Sequence, residues 1–151
     1  AKAFPNDFKF IIYGDGGAKQ KLLSVIKEEG VNNIDLRNPI NRNLLIEEYQ
    51  KADFLFLHLN KYKAFERVLP SKLFEYGAFD KPIIAGVGGY AAEFLKDHMS
   101  NTILFAPGDV ETFIKELNTY KYTTGQRKDF VKKFSRETIN ISMADSILKL
   151  I

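Results

Sequence analysis

A chain of 151 residues, 45% hydrophobic and 27% charged, can bury one sizeable core, and this composition excludes an intrinsically disordered polypeptide. The absence of cysteine excludes disulfides, a thiolate zinc site and a cysteine nucleophile, and is compatible with a reducing compartment, so the cytoplasm is expected. A net charge of +3 is too small to point to nucleic acid, no apolar run approaches the ~20 residues that cross a bilayer, and Ala1-Lys2-Ala3-Phe4-Pro5 does not read as a signal-peptide core.

In chain order, short apolar runs alternate with longer amphipathic segments, the pattern of an α/β protein on a parallel sheet. Phe8–Tyr13 predicts the first strand, and Ala18–Glu29 a helix with Leu22, Val25 and Ile26 on one stripe. Asn33–Leu36 predicts the second strand, and Asn43–Ala52 a helix aligning Leu45, Ile46 and Tyr49. Asp53–Leu59 is the third strand. Pro70–Ala78 opens with Pro-Ser, as a first helical turn prefers, and leads to the strand Pro82–Gly86. A glycine-rich turn precedes the fifth strand, Thr102–Phe105, and Asp109 is placed to cap a helix running to about Leu117.

After Tyr122 no strand pattern returns, so residues 123–151 are expected to close a single domain, 1–151, as two helices. Ser135 would cap the last of them, which carries Ile139, Ile147, Leu148 and Ile151. Lys121, Arg127, Lys128, Lys132, Lys133 and Arg136 face only Asp129 in their stretch and read as a solvated helix face ahead of a patch for anionic lipid or a partner. All five strands are short and apolar enough to be buried on both faces.

In an open parallel sheet, ligands sit beyond the carboxyl ends of the strands, where helix N-termini attract phosphate. After the first strand, Gly14-Asp15-Gly16-Gly17 would let the backbone approach a ligand, but it is neither a Walker A loop nor a full GxGxxG, and a plain tight turn accounts for it as well. In Leu69-Pro70-Ser71-Lys72-Leu73-Phe74-Glu75-Tyr76, the Ser71 hydroxyl and Lys72 ammonium could gather around a diphosphate, and Glu75, one turn on, could accept from ribose hydroxyls. A capped surface helix whose Glu75 favours the dipole fits equally. The turn Gly86–Glu93 could approach a sugar or serve close helix–sheet packing. His58 ends the third strand in a ligand-facing place, although a structural role is commoner there, and His98 reads as surface. No two His or carboxylates have ligand spacing, so no metal and no cofactor is expected.

Taken together, these segments resemble the C-terminal domain of GT4-family glycosyltransferases of the GT-B fold, especially bacterial enzymes using UDP-activated N-acetylated or amino-deoxy sugars for surface polysaccharide. Phe10 to Gly16 resembles the family's apolar strand ending in Gly-Asp-Gly, and Leu45 to Asp53 its helix leading through Ala-Asp into the next strand. Pro70 to Tyr76, followed by Lys81-Pro82-Ile83-Ile84-Ala85, is similar to its most characteristic block. Glu93 to Leu95, Pro107-Gly108-Asp109 and Phe134-Ser135-Arg136-Glu137 extend the likeness over nearly all the chain.

The resemblance implies a Rossmann-like parallel sheet sandwiched by helices and a nucleoside-diphosphate sugar as ligand. Glu75 would bind the donor ribose, Ser71 and Lys72 the diphosphate, and Leu69, Pro70, Arg67, Gly14 and Gly16 would border the donor sugar. Arg37, Asn38, Pro39 and Ile40 would frame the base. Transfer would be metal-independent with retention of configuration, the leaving diphosphate being stabilised electrostatically. The acceptor would be held by a separate N-terminal domain, and a lipid-linked acceptor would bring the enzyme to the inner face of the membrane. No catalytic residue is assigned.

Three departures from the family pattern stand out. Counting back from Glu75, Arg67 occupies the place of the family's first glutamate, with Glu66 one position off. No segment matches the family's opening strand and helix, whose Arg and Lys grip the diphosphate, and no acceptor domain is recognisable. In the sheet order of such folds the unmatched strand would be central, so either Phe8–Tyr13 pairs directly with Asp53–Leu59 or another segment or copy fills the gap, the latter giving an oligomer. By itself the chain is expected to be inactive. A non-catalytic nucleotide-binding or assembly module, or half of a UDP-sugar 2-epimerase, are the alternatives.

Overall fold

The computed structural model describes residues 1–150. The strands are β1 (Phe10–Tyr13), β2 (Ile34–Arg37), β3 (Leu55–His58), β4 (Ile83–Gly86) and β5 (Thr102–Phe105). The helices are α1 (Lys19–Glu28), α2 (Arg42–Lys51), α3 (Ser71–Gly77), α4 (Gly89–His98), α5 (Val110–Thr119), α6 (Lys128–Lys133) and α7 (Arg136–Leu148), with a 3₁₀ turn at Lys63–Arg67. The chain divides into two compact units, Ala1–Glu48 and Tyr49 onward.

In the first unit β1 and β2 run parallel, in register from Phe10 against Ile34 to Tyr13 against Arg37. The ladder starts at Phe10 and not at Phe8, because the Phe8 carbonyl is taken by Asn33 Nδ2 at 2.8 Å, the same amide that donates to the carbonyls of Phe4 and Ala1. Burial on both faces is not achieved here. No residue of β1, β2 or α1 is fully buried, and Ile11, Ile12 and Val25 are exposed. Two strands and one crossover helix offer too little surface to cover an apolar strand.

The second unit has three parallel strands in the order β3-β4-β5. Its central strand, Ile83-Ile84-Ala85-Gly86, is buried at every position, as expected for a strand covered on both faces. Leu55 and Leu57 of β3 and Ile83 and Ala85 of β4 pack with Leu73 and Tyr76 of α3, Ala91, Phe94 and Leu95 of α4, and Phe130 of α6. Across the sheet, Phe113 of α5 lies 5.0 Å from Phe105 and 6.2 Å from Phe56 between ring centroids. Helices therefore flank this parallel sheet, and the α/β architecture read from the alternation is the one formed.

Several local choices are enforced by neighbours. A Cβ on Gly77, at the end of α3, would fall 2.9 Å from the Met99 methyl and still closer to the Phe130 ring. Asp109 accepts from Thr112 N at 3.0 Å to cap α5, and Ser135 from Thr138 N at 3.1 Å to cap α7. Strands β1 and β3 lie in different sheets, so the direct pairing of Phe8–Tyr13 with Asp53–Leu59 is not formed. Helices α6 and α7 follow Tyr122. However, Ile139, Ile147 and Leu148 of α7 are exposed, and Ile151, assigned to the same helix, lies outside the described residues.

The basic run is not uniformly solvated. Arg127 is 6% exposed and donates to the carbonyls of Phe79, Lys81, Ser100 and Asn101. His98 is likewise not a free surface residue: its ring lies 4.8 Å from Phe94 and 5.4 Å from Phe134. Among the described residues no helix is long and apolar enough to cross a membrane.

Candidate functional site

The block Leu69–Tyr76 forms the approach to α3 and the helix itself. Pro70 adopts the extended conformation that precedes a helix, φ −66° and ψ 133°, and its carbonyl accepts from Leu73 N at 3.0 Å. Ser71 is the first helical residue. Leu73 and Tyr76 turn into the core, which leaves Ser71 exposed and Lys72 and Glu75 partly exposed on the other side. One turn of helix thus sets an ammonium and a carboxylate together at a boundary with solvent, with the Ser71 hydroxyl at the start of the same helix.

Lys72 Nζ donates to Glu75 Oε2 at 2.9 Å and to Tyr49 Oη at 2.8 Å. Burial works against the ammonium, but the hydrogen bonds to Tyr49 and Glu75 outweigh it and raise the Lys72 pKa above its ordinary value. Burial also pushes the Tyr76 hydroxyl up to about 12, so it stays protonated and donates to the Phe56 carbonyl at 3.3 Å. Lys72 is therefore charged near neutral pH. Arg67, at the end of the 3₁₀ turn, is exposed, and Leu69 is half-buried.

In the first unit, Gly14 and Gly16 follow β1, and Arg37 ends β2. A Cβ on Gly14, Gly16 or Gly17 would meet nothing within 4 Å, so no packing demands glycine there. Arg37 is engaged internally: its guanidinium donates to Asp35 at 2.8 Å, to Tyr13 Oη at 2.6 Å and to Glu48 at 3.4 Å. Those bonds, with Asp35 first, raise its pKa further. Asn38 accepts from Lys19 Nζ at 2.7 Å, while Pro39 is exposed and Ile40 half-buried.

Two cavities open at the carboxyl ends of β3, β4 and β5, where ligands of parallel sheets lie. The larger, about 520 Å³, is lined by His58, Asn60, Lys61, Ala106, Pro107, Gly108 and Asp109. The smaller, about 160 Å³, is lined by residues that include Tyr62, Phe65, Glu66, Gly88 and Gly89. Neither is lined by Arg67, Leu69, Pro70, Ser71, Lys72 or Glu75. The grouping on α3 carries more chemistry, because an ammonium and a carboxylate meet there, whereas His58 Nε2 is occupied as an acceptor from Gly108 N at 3.2 Å. Asn60 and Lys61 were not singled out from the sequence, although the rule that ligands lie past strand ends covers their loop too.

The glycine-rich turn after β4 serves packing at two of its positions. A Cβ on Gly86 would strike the His58 and Phe105 rings, and Gly89, at φ +55°, has the Glu66 backbone against it, with Cα at 2.7 Å from such a Cβ. Gly88 alone is open, with Pro107 Cδ at 3.6 Å. Among the described residues no three His, Cys, Asp or Glu side chains gather as ligands of a metal would.

Comparison with known proteins agrees with the α/β framework. No curated protein matches the sequence. Residues 2–136 match the family described as glycosyl transferases group 1, nearly all of the chain. That match supports transfer of a glycosyl group as the chemistry of the protein. With its parallel sheets flanked by helices in the manner of the C-terminal half of the GT-B fold, the chain belongs to the glycosyl transferases group 1 family.

Proposed function

We propose that this chain binds the donor, a nucleoside-diphosphate sugar and specifically a UDP-sugar, for a retaining, metal-independent glycosyltransferase of the GT4 type that builds bacterial surface polysaccharide or glycoconjugate. The observation that carries the reading is the pairing on α3 of Lys72 with Glu75, 2.9 Å apart, with Ser71 at the start of the same helix. A carboxylate suits paired ribose hydroxyls, and an ammonium with a neighbouring hydroxyl suits a diphosphate. Leu69, Pro70 and Arg67 border the donor sugar.

In transfer, the protein's contribution is electrostatic: positive charge at Lys72 stabilises the diphosphate as it leaves. The acceptor is held by a further domain. A lipid-linked acceptor places the enzyme at the inner face of the membrane.

Calorimetric titration of UDP into the chain tests the reading. Binding is expected, and Glu75→Ala weakens it about ten-fold or more, the scale of a lost hydrogen bond to a charged group. Affinity unchanged by Glu75→Ala removes that residue from the site. No binding of any nucleoside diphosphate overturns the donor assignment.

A further inference from the structure

We infer that Tyr49 is a positioning residue for the donor site: its hydroxyl holds the Lys72 ammonium beside the Glu75 carboxylate. This rests on the reading of α3 as the donor-binding helix. An ammonium has three N–H donors. Two are committed here, to Tyr49 Oη at 2.8 Å and Glu75 Oε2 at 2.9 Å, which leaves the third for an oxyanion of the ligand. A lysine on four rotatable bonds is otherwise free to sample many rotamers, and a second anchor on Nζ besides Glu75 removes that freedom before the donor arrives.

Tyr49 can do this because it is itself fixed. Its ring sits edge-on to Tyr76 at 5.3 Å and to Phe79 at 5.4 Å between centroids. Tyr76 is held in turn by the hydrogen bond from its own hydroxyl to the Phe56 carbonyl at 3.3 Å. An ammonium has no lone pair, so Lys72 gives and the Tyr49 oxygen accepts. The Lys72 ammonium is thereby tied to a phenol near the end of α2 whose ring packs against Tyr76. Removing the Tyr49 hydroxyl takes away one of the two anchors on the charged group.

A tyrosine that served only as a ring in the core would behave differently, and Tyr49→Phe separates the two, because both aromatic contacts survive it. Measured on the full chain, Tyr49→Phe is expected to keep a near-unchanged melting midpoint, to weaken UDP binding about two- to ten-fold, the range of one net hydrogen bond, and to let Lys72 titrate at lower pH in NMR of lysine-labelled protein. In a Lys72→Met background the same change should have no further effect on UDP affinity. Equal weakening in both backgrounds, or an unchanged affinity together with an unchanged Lys72 titration, overturns the inference. Absence of UDP binding by the unsubstituted chain overturns the donor reading instead, and the Lys72 titration, which needs no ligand, tells the two failures apart.

Discussion

Arg127 Nη1 donates to the carbonyl oxygen of Phe79 at 2.7 Å, and the same guanidinium serves the carbonyls of Lys81, Ser100 and Asn101 at 3.0, 3.0 and 3.2 Å. The side chain thus closes the approaches to β4 and β5 with a planar set of donors that no other residue type supplies. Burial lowers its pKa from the ordinary arginine value, yet it remains the donor to all four oxygens. Arg127→Met leaves those carbonyls without their partner and is expected to destabilise the chain by about 2–4 kcal/mol in urea denaturation. Arg127→Lys recovers only part, since one ammonium cannot span the four.

Gly89 is a second position where backbone geometry decides. At φ +55° and with the Glu66 backbone against the place of a Cβ, Gly89→Ala is strained twice over. A loss of about 1–3 kcal/mol is expected, with faster proteolysis around Lys63, because the 3₁₀ turn must move away. Gly16→Ala is the control: open space around it predicts a stability change within about 0.5 kcal/mol.

The cap on α5 makes stability depend on pH. Hydrogen bonds from Thr112, first from its backbone N–H, hold the Asp109 carboxyl below the ordinary aspartate value in the folded chain. The unfolded state therefore takes up a proton at higher pH than the folded state. The contribution of Asp109 is complete above the unfolded pKa and is lost as pH falls through the folded one. Asp109→Asn keeps a capping oxygen without the charge, so its stability profile between neutral pH and pH 3 is expected to be flatter than that of the unsubstituted chain.

Adjacent helices should respond oppositely to truncation. Phe130 of α6 is 6% exposed among the rings of Phe74, Phe94 and Phe134, with centroids 6.1, 6.2 and 4.8 Å away, and Phe130→Ala is expected to cost about 3–5 kcal/mol. Ile147 of α7 is 57% exposed, and Ile147→Ser should change stability by less than about 0.5 kcal/mol in the same denaturation experiment.

What was legible in the sequence was what is local. Lys72 and Glu75 lie three residues apart, so one turn of helix brings them together whatever surrounds it, and Asp109 and Ser135 cap helices through bonds that reach only three residues on. The order of strands and helices follows from periodicity in the same way. The pairs that sequence reading missed are distant along the chain: Tyr49 from Lys72 by 23 residues, Arg127 from Phe79 by 48, and His58 from Gly108 by 50.

The sequence by itself therefore determined the alternation of strands and helices, the α3 grouping and, through its match to glycosyl transferases group 1, the class of chemistry. Only the tertiary structure decided that a basic run would bury one of its arginines, that Gly86 and Gly89 would serve packing, and that Lys72 would be held by Tyr49. The reason is physical. Periodicity and capping are settled within a helical turn or two, whereas burial and the satisfaction of backbone carbonyls depend on which distant segments the fold brings into contact.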